Sequence, residues 1–370
     1  MSTNPQPWRP PAAETSGGAA PRALPGRVYT DPGELERELD AVFPRTWHLV
    51  GHVGQIPDDG DYLTATVGDQ GVVVLRHAGE VRAMYNVCQH RGHELLTSES
   101  GHVSTIMCPY HAWTYDLTGR LLRARRADVG PLCVPPVRLE SMGGFLFVNL
   151  DPDAPTLEDY VPGVAAELAA LEPRSEGRVL SWTNTAVVEA NWKLVVENYN
   201  ECYHCPNVHT SFTTGVVARD SYRIASSGNC VRHTARATAR TAYRRDTDDD
   251  VYGSFFVWPL SSIQCYPGRV LNTFRWVPLA VDRTLLIRQW WFEEPEVTPA
   301  QREIIDLDWE TTVAEDLKLL ASVQRGMRSR GYRPGPLVID PSGVADTNSE
   351  NPVLHLQHLV AATQSDDPLP

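Results

Sequence analysis

Two short stretches constrain this 370-residue chain more than any other part of it: Cys88-Gln89-His90 and Cys108-Pro109-Tyr110-His111, each joining one thiol to one imidazole, 17 residues apart. Gly92 follows the first and Pro109 sits inside the second, so both read as loops rather than as the interior of a helix or strand. Two such loops, projecting from a scaffold of short strands, can close a four-ligand metal site. A zinc clip is the plain alternative, but its common spacings pair Cys with Cys and His with His. Two irons bridged by sulfide suit the mixed pattern better, cysteines on one iron and histidines on the other. Neutral imidazoles leave less negative charge on such a cluster and raise its reduction potential, as an electron relay requires. His93 and His102 lack the matching spacing and are expected to be exposed loop histidines.

The remaining composition narrows the setting. The length suggests roughly two domains at ~150 residues each. A net charge of −13 offers no positive field to a phosphate backbone, which argues against a nucleic-acid partner. No apolar run approaches the ~20 residues that cross a bilayer, so no membrane span is expected. The proline-rich residues 1–27 read as a disordered tail rather than a secretory signal, and the expected compartment is the cytoplasm. Seven cysteines, an odd number, argue against a disulfide framework. Cys133, Cys202, Cys205, Cys230 and Cys265 have no paired spacing and are expected to be buried or incidental thiols.

Periodicity predicts a helix from Asp31 to about Phe43, with Asp31 as cap and Pro32 in first position. Strand-like runs follow at Tyr62–Val67, Val72–Arg76, Val81–Asn86 and Phe145–Asn149, as in a small antiparallel sandwich or barrel. Beyond the linker-like Asp151–Pro155, helical patterns appear at Thr156–Leu171 and Trp192–Tyr203. Strand patterns then run over Phe255–Trp258, Val270–Val277 and Thr284–Phe292, and a long helix over Pro299–Arg328. Strands in a block with helices at either end indicate an α+β fold.

The stretch opened by Asn191-Trp192-Lys193 puts Trp192, Val195, Val196, Tyr199 and Tyr203 on one helical face and Glu197, Glu201 and His204 on the other. His204 and His209 would diverge by about 140° on an unbroken helix, too far to share an ion. Pro206 is expected to break the helix and swing His209 back. Two imidazoles then need a carboxylate. Taking Ile305 as origin, Asp316 falls near about 20°, within the apolar stripe, Glu315 near about 280°, Asp308 near about 300°, and the competing Asp306 near about 100°. A carboxylate facing inward needs a cation, and either a bound ferrous ion or an arginine would serve.

These motifs resemble a known family. Cys88-x-His90-Arg91-Gly92 with Cys108-Pro109-Tyr110-His111-x-Trp113 is similar to the Rieske domain of the Rieske non-heme iron oxygenases. Glu197-x3-Glu201-x2-His204-x4-His209, with Asp316 ahead of Ser322-Val323-Gln324-Arg325-Gly326, resembles their mononuclear iron site. The resemblance spans about residues 28 to 365. It implies a Rieske [2Fe-2S] cluster on Cys88, His90, Cys108 and His111, and Fe(II) on His204, His209 and Asp316, a facial triad with positions open for O2. The implied fold is a β-rich Rieske domain joined to a helix-grip catalytic domain. The expected division is a tail over 1–27, an N-terminal helix over 28–45 packing on the catalytic domain, the Rieske domain over 46–155 and the catalytic domain over 156–370.

The resemblance further implies a homotrimer in which Glu201 links one subunit's cluster to its neighbour's iron. Ring-hydroxylating dioxygenases usually carry Asp there. Glu201, and the run Glu201-Cys202-Tyr203-His204-Cys205, resemble the carnitine, choline and glycine-betaine branch instead. The implied activity is C–H hydroxylation of a quaternary ammonium compound, with oxidative N-demethylation or C–N cleavage; an aromatic or natural-product scaffold is the alternative substrate. Cation–π attraction makes Tyr203, Trp258, Tyr266, Trp276 and Trp290 candidate cage residues. With no Gly-x-Gly-x-x-Gly fingerprint in the chain, electrons from NAD(P)H are expected through a separate reductase or ferredoxin.

Overall fold

The computed structural model describes residues 20–126, 128–343 and 345–362. Asp31 caps α1 (Pro32–Ala41) by accepting from the Gly33 amide at 2.9 Å, and Pro32 fills a first-turn position that needs no donor. Of the expected tail, residues 1–19 lie outside the described residues, whereas 20–27 are not disordered. Leu24 is fully buried, Ala23 N donates to Gly335 O at 2.9 Å, and Arg22 reaches Pro334 O, 312 residues on. Composition hides such distant partners.

The chain divides into two compact units, one over Phe43–Leu180 with Glu293–Pro295, the other over the rest. The first is antiparallel β. Its strands are β1 (His48–His52), β2 (Asp61–Val67), β3 (Gln70–His77), β4 (Glu80–Tyr85), β5 (Ser100–His102), β6 (Ile106–Met107), β7 (Thr114–Tyr115), β8 (Leu121–Arg123), β9 (Pro136–Met142) and β10 (Phe145–Asn149). Seven of them form a sheet in the order β1-β10-β9-β4-β3-β2-β5, and β6-β7-β8 form a second, smaller sheet. In β3 all four of Val72–Leu75 are buried, as expected of a strand covered on both faces. Its core joins Val73, Leu75, Met84, Ile106 and Tyr115 to Cys88 and Cys108. This unit runs past the expected limit at residue 155, because α2 (Leu157–Tyr160) and α3 (Val164–Leu171) belong to it. Gly163, at φ +78°, separates the two helices where the periodicity suggested one.

The second unit is built on a seven-stranded sheet of β11 (Val179–Val188), β12 (Arg223–Ser227), β13 (Cys230–Arg236), β14 (Val251–Val257), β15 (Ser261–Tyr266), β16 (Val270–Ala280) and β17 (Arg283–Phe292), in the order β11-β17-β16-β15-β14-β13-β12, with β12 to β17 antiparallel. Helices α4 (Trp192–Asn200), α5 (Cys205–Val208), α6 (Thr210–Gly215), α7 (Pro299–Leu307), α8 (Ala314–Met327) and α9 (Asn351–Ala362) complete it. The single helix expected over Pro299–Arg328 is instead α7 and α8 joined by a π-helical stretch, Asp308–Val313. In α1, Glu38 accepts from Trp192 Nε1 at 2.7 Å and pairs with the buried Lys193. Among the described residues no helix is long and apolar enough to cross a membrane.

Candidate metal centres and active site

The two Cys/His loops are built on one backbone plan. Cys88 N donates to His93 O at 2.8 Å and Gly92 N donates to Cys88 O at 3.1 Å; Cys108 N donates to Trp113 O at 2.8 Å and Ala112 N to Cys108 O at 3.0 Å. The fourth residue after each cysteine is left-handed, Gly92 at φ +73° and Ala112 at φ +58°. For alanine that conformation costs about 1–2 kcal/mol, so the duplicated loop is held against strain, as functional loops often are. Spacing shows the paired Cys and His residues but not this matched turn, because Ala112 carries no glycine signal.

Both sulfurs are buried, His90 is exposed and His111 half-buried. His90 stacks on Trp113 with ring centroids 4.6 Å apart and meets His111 edge-on at 4.6 Å. Tyr115 Oη lies 3.3 Å from Cys88 Sγ and accepts from Gln89 N. His111 Nδ1 is buried with no hydrogen-bond partner among the described residues. Burial raises the Cys108 thiol above its ordinary range, a penalty that a bound cation reverses by holding the thiolate. Orphaned imidazole nitrogen and buried thiols together fit a metal cluster better than a packed core.

The second constellation begins at α4. Asn191 caps it, accepting from Lys193 N at 3.0 Å. Tyr199 Oη anchors it to the sheet through Ser254 at 2.8 Å, and through Ser262 and Gln264 at 2.6 Å each. The chain leaves the helix at Glu201, which is extended (φ −110°, ψ 152°), earlier than the expected turn after His204. Pro206 does not break a helix. It lies in the first turn of α5, where its missing N–H is no loss. His209 sits at the junction of α5 and α6, and this double turn brings the two imidazoles together.

His204 Nε2 and His209 Nε2 are 3.0 Å apart, and Asp316 Oδ1 lies 3.1 Å from the latter and 3.7 Å from the former. Donors about 2.1 Å from one ion at right angles to each other stand about 3 Å apart, so these separations fit a single ion held on one face. Asp316 Oδ1 is buried without a donor in hydrogen-bonding geometry. The opposite ring nitrogens are held by carboxylates: His204 Nδ1 by Glu201, and His209 Nδ1 by Glu315 Oε2 at 2.8 Å. Burial would lower the His209 imidazole, but Asp316 and Glu315 outweigh it and raise its pKa. Asp306, the competing candidate, pairs with Arg302 at the surface, 2.6 Å away.

Asp308, placed off the inward stripe by the helical wheel, is buried. Its oxygens accept from Arg288 Nε at 3.0 Å and Tyr266 Oη at 2.7 Å, while the guanidinium lies over Phe274 and Trp290. A cavity opens on His204, His209 and Asp316, and Asp308 lines it. Of the five expected cage aromatics, only Tyr266 and Trp276 line it. Tyr203 is 44% exposed, and Trp258 and Trp290 are fully buried in the core, as large apolar side chains commonly are. The other rings of the lining, Tyr199, Phe212, Tyr222, Tyr252 and Phe274, were not expected. Alternation along β14, β15 and β16 was the available signal: Tyr252, Gln264, Tyr266, Phe274 and Trp276 share one sheet face. Among the described residues the lining contains no lysine or arginine.

Residues 46–135 match the Rieske [2Fe-2S] domain, and residues 173–365 match the ring hydroxylating alpha subunit (catalytic domain). The carnitine monooxygenase oxygenase subunit of Escherichia coli (strain K12) is 34% identical over 354 residues, covering 93% of this chain and 94% of that protein. The glycine betaine monooxygenase oxygenase subunit of Chromohalobacter salexigens is 31% identical, covering 85% and 81%. A solved quaternary ammonium Rieske monooxygenase, described for carnitine oxidation and inter-subunit electron transfer, aligns with a TM-score of 0.84 at 32% identity over 94% of this chain and 96% of that one.

Proposed function

This chain belongs to the Rieske non-heme iron oxygenases, as an oxygenase subunit served by a separate reductase, and we propose that it hydroxylates a C–H bond of a quaternary ammonium, betaine-type compound with N-demethylation or C–N cleavage. The observation that carries this reading is the aromatic cavity opening on the His204–His209–Asp316 cluster. Ring faces attract a desolvated quaternary ammonium by about 2 kcal/mol or more, and a lining with carboxylates and no cation does not repel it. The names of the carnitine and glycine betaine relatives support the same substrate class.

When bound, a [2Fe-2S] cluster on Cys88, His90, Cys108 and His111 supplies electrons, and Fe(II) on His204, His209 and Asp316 activates O2 for the oxidation. The chain's own residues do the positioning. Glu201 and Glu315 fix the tautomer and tilt of the two histidines, leaving each Nε2 free to ligate. Tyr266, Trp276 and their neighbours exclude water and orient the methylated head towards the cluster. In a homotrimer Glu201 would link His204 to the neighbouring subunit's cluster. We place the reaction in the cytoplasm, where NAD(P)H is available to the reductase.

The test is a panel of carnitine, choline, betaines and arenes turned over with a surrogate NAD(P)H reductase, following O2 uptake and product mass. Demethylated or cleaved amine formed in step with O2 uptake is expected. Arene hydroxylation without turnover of any quaternary ammonium would replace this reading with the aromatic one.

A further inference from the structure

Cys202 and Cys205, expected to be incidental thiols, are joined by a disulfide. The sequence spacing is a CxxC pair, but one whose interior holds a ligand candidate: the bond brackets Tyr203 and His204. Its attachments reach both histidines. Cys205 N donates to Cys202 O at 3.1 Å, and His209 N donates to Cys205 O at 2.8 Å. Glu201, immediately before Cys202, accepts from the Tyr203 and His204 amides and holds His204 Nδ1. The crosslink therefore lies inside the one segment, residues 201–209, that aims two imidazoles at a common point. Cys202 is 1% exposed and Cys205 5%, yet Cys205 lines the cavity. Of the two half-cystines, Cys205 alone belongs to the cavity lining, so a small reagent entering there approaches the bond from the Cys205 side.

We propose that Cys202 and Cys205 form a redox-responsive pair that sets how firmly the mononuclear metal is held. The inference rests on the reading of His204, His209 and Asp316 as iron ligands, and not on the substrate. Oxidised, the pair locks the segment in the ligand-presenting geometry; reduced, it frees the backbone of Tyr203 and His204 and weakens the site.

The chemistry balances with a dithiol as reductant. One thiolate of the dithiol attacks Cys205 Sγ, and the S–S electron pair leaves on Cys202 Sγ, which takes up a proton. The second thiol of the reductant then displaces Cys205, and the reductant departs as its own disulfide. In the opposite direction a hydroperoxide oxidises the Cys205 thiolate to a sulfenic acid, releasing an alcohol or water. Cys202 then displaces water to restore the bond.

The test uses the full-length holoenzyme loaded with both metal centres. One portion is kept oxidised; another is reduced with a water-soluble phosphine, which becomes its oxide with oxygen from water, and is then freed of reagent. Alkylation and peptide mass analysis count thiols at 202 and 205, and transfer of ferrous iron to a chelator is followed without substrate. The reduced protein is expected to gain two thiols there and to release mononuclear iron about tenfold faster, the scale on which supporting contacts act on a metal site, with cluster absorbance unchanged. Re-oxidation should restore the slow rate. The Cys202→Ser/Cys205→Ser variant should release fast under both conditions. An air-oxidised protein lacking the crosslinked peptide, or equal release rates in the two states, overturns the proposal. Failure to turn over any quaternary ammonium would sink the substrate reading and leave these measurements untouched.

Discussion

Each histidine of the proposed mononuclear site is held through its Nδ1 by a carboxylate, His204 by Glu201 and His209 by Glu315. Glu315 holds His209 Nδ1 at 2.8 Å, so Glu315→Gln keeps the shape, removes the charge, and should lower ferrous affinity about 10–100-fold. Titration of the iron-free catalytic site, with cluster absorbance as internal control, measures it; unchanged affinity would show that Asp316 and packing alone orient the ring. Glu201→Gln is a different perturbation, because the carboxylate is also the proposed electron bridge. With both centres kept loaded by excess ferrous iron, single-turnover oxidation of the mononuclear iron should slow, and an unchanged rate would remove Glu201 from the path. Spacing alone made His204 and His209 readable and left Asp306 competing with Asp316. It could not assign Glu315 a role, since the partners lie 106 residues apart. The disulfide was missed for another reason: an odd cysteine count describes frameworks and says nothing of one short-range pair.

At the scale of elements, the largest departure from the helical wheel has a single cause. The wheel assumes about 100° per residue throughout, but Asp308–Val313 is π-helical, and its i→i+5 bonding inserts about one extra residue into the turn. Asp308 and Asp316 both line the cavity as a result, one against Arg288 and Tyr266, the other against the histidines. The flanking helices cannot readily rotate to compensate. Asp308 pins the end of α7, while in α8 Gln324 accepts from Asn191 N at 2.8 Å and donates to Tyr29 O at 3.1 Å. Deleting the exposed Glu310 should restore regular α-helix and turn Asp316 by about 100° relative to Asp308. The expected product is a folded protein with normal cluster absorbance and no mononuclear iron, and retention of that iron would refute a positioning role for the π-turn. Strand positions, by contrast, followed from short β-rich runs between glycines and prolines closely enough that β10 spans the expected Phe145–Asn149. What alternation left open was which aromatic face looks into the cavity, because that depends on register between strands.

Across the whole molecule, buried charge and the proposed subunit association bear on behaviour that no single site determines. Glu197 is buried with Tyr29 Oη 2.8 and 2.9 Å from its two oxygens, and burial lifts its carboxyl to about 8, against the opposing pull of Tyr29 and Lys193. Unfolded, it titrates near the ordinary 4.5. A raised native pKa means stability that is fully present below the unfolded value and is lost as pH rises through the folded one, on the order of a few kcal/mol. Between about pH 5 and about pH 8 the wild type should therefore lose more thermal stability than Glu197→Gln; parallel curves would show the acid ionised throughout. The proposed homotrimer makes a sharper demand. If electrons pass only between neighbouring subunits, a chain lacking its cluster (Cys108→Ser) and a chain lacking its catalytic ligand (His204→Ala) are each inactive alone, yet a mixed trimer places an intact cluster beside an intact mononuclear site. Co-expression of the two, with different tags and tandem purification, should restore product formation that neither parent shows. Activity absent from properly mixed trimers in which both kinds of centre are metal-loaded would mean that each chain uses its own cluster, and Glu201 would then have to act within a single chain.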